Sequence, residues 1–297
     1  MHAPPWSLVQ YTRAGHTGVS VGALVDDKIV RTPPGLGDGD LMAVLRRWAE
    51  VAPLLRTWTP DSDDVVPDAV LAAPLTYPAK ILCAGANYYA HLAEMGIAAP
   101  ATPPEPFFFF KPPTTTVIGP GAAIPLPVGD TRIDWEAELG VVIADRCRDL
   151  SPEDVAGHIA GYLPANDISA RSRLTRSDAV AAPFGFDWVG SKAQDGFCPL
   201  GPGLVPAWLV GDTADLAVRL LVNGVVKQDS STADMISPVA DLVAAVSRMV
   251  TLEPGDLVLT GTPAGVGLPR EEFLAPGDEV VVEIDRVGRL VNPVVAS

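Results

Sequence analysis

Asp134-Trp-Glu-Ala-Glu-Leu-Gly-Val-Val-Ile143 reads as a β-strand with a polar entrance and an apolar body. Side chains alternate across a strand, so Glu136 and Glu138 share one face while Trp135, Ala137 and Leu139 take the other. Its apolar continuation at 139–144 has counterparts in Leu216-Ala-Val-Arg-Leu-Leu-Val222, Asp256-Leu-Val-Leu-Thr260 and Glu279-Val-Val-Val-Glu-Ile-Asp285, all short and apolar. Two of these follow Pro-Gly-Asp turns, at 254–256 and 276–278. Clear helices are fewer: one over 152–159, and one over 238–249 with Val239, Leu242, Val243 and Val246 on one face. The 30 prolines and 27 glycines interrupt the chain too often for a doubly wound sheet, so the pattern predicts a β-rich α+β fold.

Upstream, the texture is different. Gly18-Val-Ser-Val-Gly-Ala-Leu-Val25, the pair Asp26-Asp27 and Lys28-Ile-Val30 predict two strands around a turn. After Asp40, a suitable N-cap, Leu41, Val44, Leu45, Trp48 and Val51 recur at helical spacing and predict one helix. Thr59-Pro-Asp-Ser-Asp-Asp64 is polar and turn-rich, as a linker would be. The expected division is a small N-terminal α/β unit over 1–74 and a larger domain over 75–297. No repeat of 20–50 residues is visible.

Composition narrows the function. No run approaches the roughly 20 apolar residues of a membrane helix, and the start Met-His-Ala-Pro-Pro-Trp lacks the basic and apolar regions of a secretion signal. The expectation is a cytoplasmic protein with no membrane partner. Cys83, Cys147 and Cys198 have no CxxC or Cys/His spacing, so they read as buried small residues. A net charge of −15, with Lys and Arg scattered, argues against nucleic acid. An anionic ligand would need a positive field made locally.

Two carboxylates side by side at a strand entrance repel each other and resist desolvation unless a positive charge joins them. For an arbitrary Glu-x-Glu the commoner explanation is a solvated face of an edge strand. A second segment, Gly161-Tyr-Leu-Pro-Ala-Asn-Asp167-Ile-Ser-Ala-Arg171, sets one Asp at the end of an apolar strand-like run. Glu136, Glu138 and Asp167, with no His or Cys beside them, suit an all-oxygen site for Mg²⁺ or Mn²⁺, with Ca²⁺ as a stand-in in a crystal. Spacing alone does not bring Asp167 to the glutamates.

These residues, with others in order, resemble the fumarylacetoacetate hydrolase family over roughly 80–293. The pieces are Cys83-Ala-Gly-Ala-Asn-Tyr-Tyr-Ala-His91-Leu-Ala-Glu94-Met-Gly96, Phe109-Phe-Lys111-Pro-Pro113, the run 134–143, Asn166-Asp167, Gly190-Ser-Lys192, Gly196-Phe-Cys-Pro-Leu-Gly-Pro202, Val222-Asn-Gly224 and Gly261-Thr-Pro-Ala-Gly-Val-Gly267. The resemblance implies a distorted β-roll main domain, a divalent cation on Glu136, Glu138 and Asp167, and a homodimer. It also implies chemistry beside a 2-oxo or 2-hydroxy acid, so that the partner is a small anionic oxo- or diketo-acid.

The resemblance also assigns roles. His91 and Glu94 match the family's water-activating pair, and three positions apart on a helical turn their side chains share a face. In the absence of the motif, a surface His beside a Glu would be the better reading. Residues 87–104, bracketed by Gly85, Gly96 and a Pro-rich stretch, are expected to form a lid. Lys192 matches a lysine that holds a developing enolate oxygen. Gly261, Thr262 and Asn87 are implied in substrate binding, and Arg171 pairs either with a substrate carboxylate or with a neighbour of the cation ligands. One departure stands out: Leu174 occupies the place of a family Gln that touches substrate.

The resulting expectation is a divalent-metal-dependent hydrolase that cleaves a C–C bond in a small acylpyruvate-type acid. The alternative is an isomerase/decarboxylase (tautomerase) acting on a 2-hydroxy-diene or 2-oxo diacid of aromatic catabolism, suggested by Lys192-Ala-Gln-Asp-Gly-Phe-Cys-Pro199. All these reactions share an enolate. A non-catalytic metal-binding protein on the same fold is the remaining alternative; it predicts lost ligands, and all three are retained.

Overall fold

The computed structural model describes residues 1–36 and 39–297. Its architecture is the strand-rich α+β arrangement expected. The run at 134–143 forms strand Ala137–Ile143, buried along its whole length. It pairs antiparallel with Ile159–Asn166 on one side and with Leu257–Leu259 on the other. Ile81–Gly85 and Phe107–Lys111 extend the sheet beyond Leu257–Leu259, and Val205–Pro206 closes the opposite edge, giving six strands. A five-stranded sheet, ordered Val225–Ser231, Ala217–Val222, Glu279–Ile284, Gly288–Ala296, Ile124–Leu126, packs against it.

The two faces of Ala137–Ile143 enter two cores. Trp135, Ala137, Leu139, Val141 and Ile143 belong to the cluster between the sheets, together with Leu220, Val282 and Val243 of the helix Val239–Met249. Val142 turns the other way, into a cluster shared with Leu8, Leu41, Leu45 and Trp48. Glu136 and Glu138 have the parity of Val142, as the alternation requires. Burial of this many β-branched and aromatic side chains is the main stabilising term, at about 25 cal/mol per Å² of apolar surface.

The N-terminal sheet has four strands in the order Lys28–Arg31, Ser20–Val25, Ser7–Arg13, Ala69–Ala72. The hairpin turn falls on Asp26 and Asp27, both at positive φ (45° and 64°), a conformation that Asp tolerates better than most residues. The expected single helix after Asp40 is two: Leu41–Leu45, capped by Asp40 Oδ1 accepting from Ala43 N at 2.7 Å, and Trp48–Thr57. This unit lies on the main sheet. Leu8 and Leu204 exchange backbone hydrogen bonds of 2.8 Å, and Gly255, at φ +83°, leaves the space that Met42 fills, since a Cβ there would stand 2.4 Å from Met42 Cε.

The expected helix over 152–159 is corrected to a single 3₁₀ turn, Val155–His158. The His158 carbonyl already accepts a ladder-type bond from Ala144 N (2.8 Å), so the chain has to be extended by Ile159. No described helix is long and apolar enough to cross a membrane.

Candidate active site

Strand pairing brings the three carboxylates together. Ala137 pairs with Asn166 and Glu138 with Ala165, and Asp167 N donates to Glu136 O at 2.9 Å, which sets Asp167 beside the glutamates. One oxygen from each of Glu136, Glu138 and Asp167 lies within 4.8 Å of the others, and all three residues are buried. Solvated edge-strand glutamates are thereby excluded.

Three cations surround the group. Lys192, at the end of helix Trp188–Lys192, donates to Glu136 Oε2 at 2.8 Å and to Asp167 Oδ2 at 2.6 Å. Arg171 donates from Nη2 to Glu136 Oε1 (2.6 Å) and from Nε to Asp134 Oδ2 (2.9 Å), so it pairs with a metal-ligand candidate and its neighbour. Lys111, fully buried, gives hydrogen bonds to the carbonyls of Ile168, Lys192 and Phe197, and its Nζ also lies 2.7 Å from Asp167 Oδ1. Its three N–H groups being taken, that last contact is electrostatic, and Asp167 Oδ1 has no hydrogen-bond partner among the described residues.

Four buried carboxylates, Asp134, Glu136, Glu138 and Asp167, thus face three buried cations. The imbalance falls on Glu138, whose carboxylate accepts, among the described residues, only from Gly261 N, at 2.7 Å. Burial, then the charges of Asp167 and Glu136, push its carboxyl well above the usual range. Glu136 is the opposite case: burial alone would raise it, but Lys192, Arg171 and His91 hold it below the usual range. Burial would depress Lys192, and Asp167 and Glu136 outweigh that to keep it charged. An all-oxygen donor set short of one positive charge, with one buried carboxylate oxygen that accepts no hydrogen bond among the described residues, fits a hard divalent cation.

His91 and Glu94 sit on the short helix Tyr89–Glu94. His91 Nδ1 is 2.6 Å from Glu94 Oε1, and Glu94 Oε2 accepts from Gly265 N at 2.8 Å, so the carboxylate anchors the imidazole to the Gly261–Gly267 loop. With Nδ1–H given to Glu94, Nε2 is the free nitrogen. The helix is held by Asp234 Oδ2, which accepts from Ala90 N at 3.1 Å.

The remaining predicted residues serve the frame. Asn87 accepts from Ser237 N (2.9 Å) and donates to Ser237 O (3.0 Å) and Thr260 O (2.9 Å), which uses its amide within the protein. Thr262 Oγ1 donates to Ala137 O (3.0 Å) and accepts from Gln228 Nε2 (2.8 Å). Gly261, at φ +87°, passes so close to Asn87 that a Cβ would stand 2.8 Å from that of Asn87. Leu174 follows the 3₁₀ turn Arg171–Arg173.

Sequence reading passed over Lys111, Asp134, Gln228 and Tyr88. Asp134 accepts from Trp135 N, Gly267 N, Leu268 N and Arg171 Nε. Tyr88, fully buried beside Glu138, has a hydroxyl without a partner among the described residues. The one available signal was negative: a Lys and an Asp inside apolar runs must be paired if buried.

Known proteins match most of the chain. The model of the fumarylacetoacetate (FAA) hydrolase C-terminal domain matches residues 80–295. Oxaloacetate tautomerase FAHD2B, mitochondrial, of Homo sapiens is 38% identical over 261 residues, covering 87% of this chain and 77% of that protein. Among solved structures, 5-carboxymethyl-2-hydroxymuconate delta-isomerase from Mycobacterium smegmatis is similar at TM-score 0.73 and 30% identity, covering 98% of this chain and 100% of that one. Maleylpyruvate hydrolase from Sphingobium sp. SYK-6, in complex with manganese (II) ion and pyruvate, is similar at TM-score 0.74 and 26% identity, covering 98% and 99%.

Proposed function

The chain belongs to the fumarylacetoacetate hydrolase family, and on that premise we propose that it is a divalent-cation-dependent enzyme interconverting the keto and enol forms of a small 2-oxo diacid such as oxaloacetate. The observation that carries this reading is the pair of buried His91 and partly buried Glu94 (2.6 Å) together with buried Lys192, which is hydrogen-bonded to the three-carboxylate cluster. A divalent cation held by Glu136, Glu138 and Asp167 supplies positive charge beside the oxygens of such an acid.

The residues of the chain do the rest. His91 Nε2 takes a proton from the carbon next to the 2-oxo group, and the electron pair moves to the carbonyl oxygen. Glu94 keeps the imidazole oriented and stabilises its charged form. The Lys192 ammonium stabilises the negative charge that appears on oxygen, and a proton delivered there completes the enol. The names of the human tautomerase and of the mycobacterial isomerase support a proton shift as the reaction class.

The test follows the ultraviolet absorbance of freshly dissolved enol oxaloacetate with enzyme and Mg²⁺, Mn²⁺ or EDTA. Cation-dependent loss of the enol band without change of mass is the expected result. A rate equal to that of buffer alone under every condition overturns the reading. A second reading, C–C hydrolysis of an acylpyruvate, rests on the same His–Glu pair, which also suits water activation, and on the likeness to maleylpyruvate hydrolase. Two acids released from an acylpyruvate would select it.

A further inference from the structure

A second group of potential ligands lies at the other end of the central strand. Strand Ala137–Ile143 runs from Glu138 to the turn carrying Asp145 and Cys147, roughly 20 Å away at 3.3 Å per residue. Three backbone contacts fix this corner. Ala144 N donates to His158 O (2.8 Å), and Cys147 and Leu252 exchange hydrogen bonds of 3.0 and 2.9 Å. These contacts bring the carboxylate and thiol of that turn and an imidazole from a second segment to one point. One ligand atom each of Asp145, Cys147 and His158 lies within 4.8 Å of the others, and His158 Nδ1 is 2.6 Å from Asp145 Oδ1.

We propose that Asp145, Cys147 and His158 form a second metal site, for a borderline-soft divalent cation of the Zn²⁺ type, distinct from the all-oxygen cluster. The donor chemistry sets the choice. Sulfur and imidazole favour Zn²⁺ or Co²⁺ over Mg²⁺, whereas the catalytic carboxylates favour the hard ions. Donors 2.0–2.3 Å from a tetrahedral ion stand roughly 3.3–3.8 Å apart, inside the 4.8 Å that spans these three, and the 2.6 Å contact between His158 Nδ1 and Asp145 Oδ1 has to open for both to ligate one ion through those atoms. Two of the three side chains are free to make that adjustment, since the Asp145 side chain is 56% and the His158 side chain 28% exposed, while Cys147 is buried beneath them. The exposed side also provides the entry path and leaves a coordination position for water.

Binding takes the Cys147 thiol as thiolate, its proton passing to solvent, with neutral imidazole and carboxylate as the other donors. The ion ties the turn after the central strand to the start of Ile159–Asn166, so its expected effect is on stability. An ordinary Asp–His ion pair beside a buried thiol is the competing account.

The experiment titrates the protein with Co²⁺ in excess Mg²⁺, which keeps the catalytic carboxylates filled by a hard ion. A thiolate-to-cobalt charge-transfer band saturating at one equivalent, absent in Cys147→Ser and weakened in His158→Gln, is the expected result. Thermal melts should show Zn²⁺ raising the Tm of the wild type and leaving that of either variant unmoved. Both variants are first checked for native circular dichroism, and His158→Gln on the exposed side serves if Cys147→Ser does not fold. No charge-transfer band in the wild type, or a band unchanged in a folded Cys147→Ser, overturns the proposal.

Discussion

Lys192 Nζ stands 2.6 Å from Asp167 Oδ2 and at the same time 2.8 Å from Glu136 Oε2, so one ammonium bridges two of the three carboxylates that would ligate a cation. The lysine therefore plays two opposed parts: it lowers the negative field that attracts the cation, and it offers a donor to charge developing on substrate. Lys192→Met separates them. Mn²⁺ should bind at least as tightly as to the wild type, by calorimetry, while turnover falls roughly 10²–10³-fold, the usual cost of losing one donor to a developing oxyanion. Turnover at the wild-type level would remove Lys192 from the chemistry.

Cation dependence is tested at Glu138, the carboxylate with the fewest protein partners. Glu138→Gln keeps an oxygen for the 2.7 Å bond from Gly261 N and removes only the charge. Mn²⁺ affinity should fall at least about tenfold, in line with the loss of one hard anionic ligand, with the melting curve near that of the wild type. EDTA should abolish wild-type activity, and added Mg²⁺ or Mn²⁺ should restore it. Activity that survives exhaustive EDTA treatment would refute the cation requirement.

His91 and Glu94 should differ in weight. If His91 moves the proton, His91→Asn lowers kcat about 10²–10⁴-fold with little change in KM. Glu94→Gln retains an oxygen that can accept from Gly265 N, so the helix keeps its anchor and the loss should be nearer tenfold. Equal and complete loss in both would mean that Glu94 itself transfers the proton.

Much of this was legible because it is periodic or local. The alternation at 134–143 put Glu136 and Glu138 on one face, and the Asp26-Asp27 turn and the Val239–Met249 helix carry their own signals. What could not be read depends on distant partners. Lys111 is defined by carbonyls 57 to 86 residues away, and Asp134 by Gly267, 133 residues on. Strand Ser7–Arg13 escaped notice because Gln10 interrupts its apolar pattern, yet Gln10 is fully buried and accepts from Leu41 N at 2.7 Å. The helix expected at 152–159 failed because the sheet's claim on His158 O outweighed local propensity.

Asp130 gives a pH-dependent prediction away from the carboxylate cluster. Burial opposes its charge, but hydrogen bonds from Ser172 Oγ (2.7 Å), Arg132 N (3.1 Å) and Arg173 Nε (3.1 Å) outweigh burial and hold the carboxyl below its usual value. A depressed folded-state pKa contributes stability above the unfolded value, about 3.9, and that contribution disappears as pH falls through the folded one. Asp130→Asn should therefore cost about 1 kcal/mol at pH 6, the half-exposed Arg173 being screened by solvent. The difference from wild type in urea unfolding should shrink toward pH 3. A difference independent of pH would show that the ionised carboxylate is not what matters.

Gln228 links the two sheets to the site and yields the most structural of the predictions. It is fully buried: Oε1 accepts from Ala137 N at 2.9 Å, and Nε2 donates to Thr262 Oγ1 and Pro263 O, both at 2.8 Å. Gln228→Leu is close in volume but leaves Ala137 N and Pro263 O buried without partners, while Thr262 Oγ1 keeps only its bond to Ala137 O, so about 2–4 kcal/mol of stability should be lost. Ala137 lies between the two glutamates and Thr262 follows Gly261, so the damage should reach the cluster. Weaker Mn²⁺ binding is expected in a variant that touches no ligand, and Gln228→Glu, which keeps the acceptor for Ala137 N but adds a buried charge, should be worse still. A Gln228→Leu protein with wild-type Tm and Mn²⁺ affinity would mean that water replaces all three bonds.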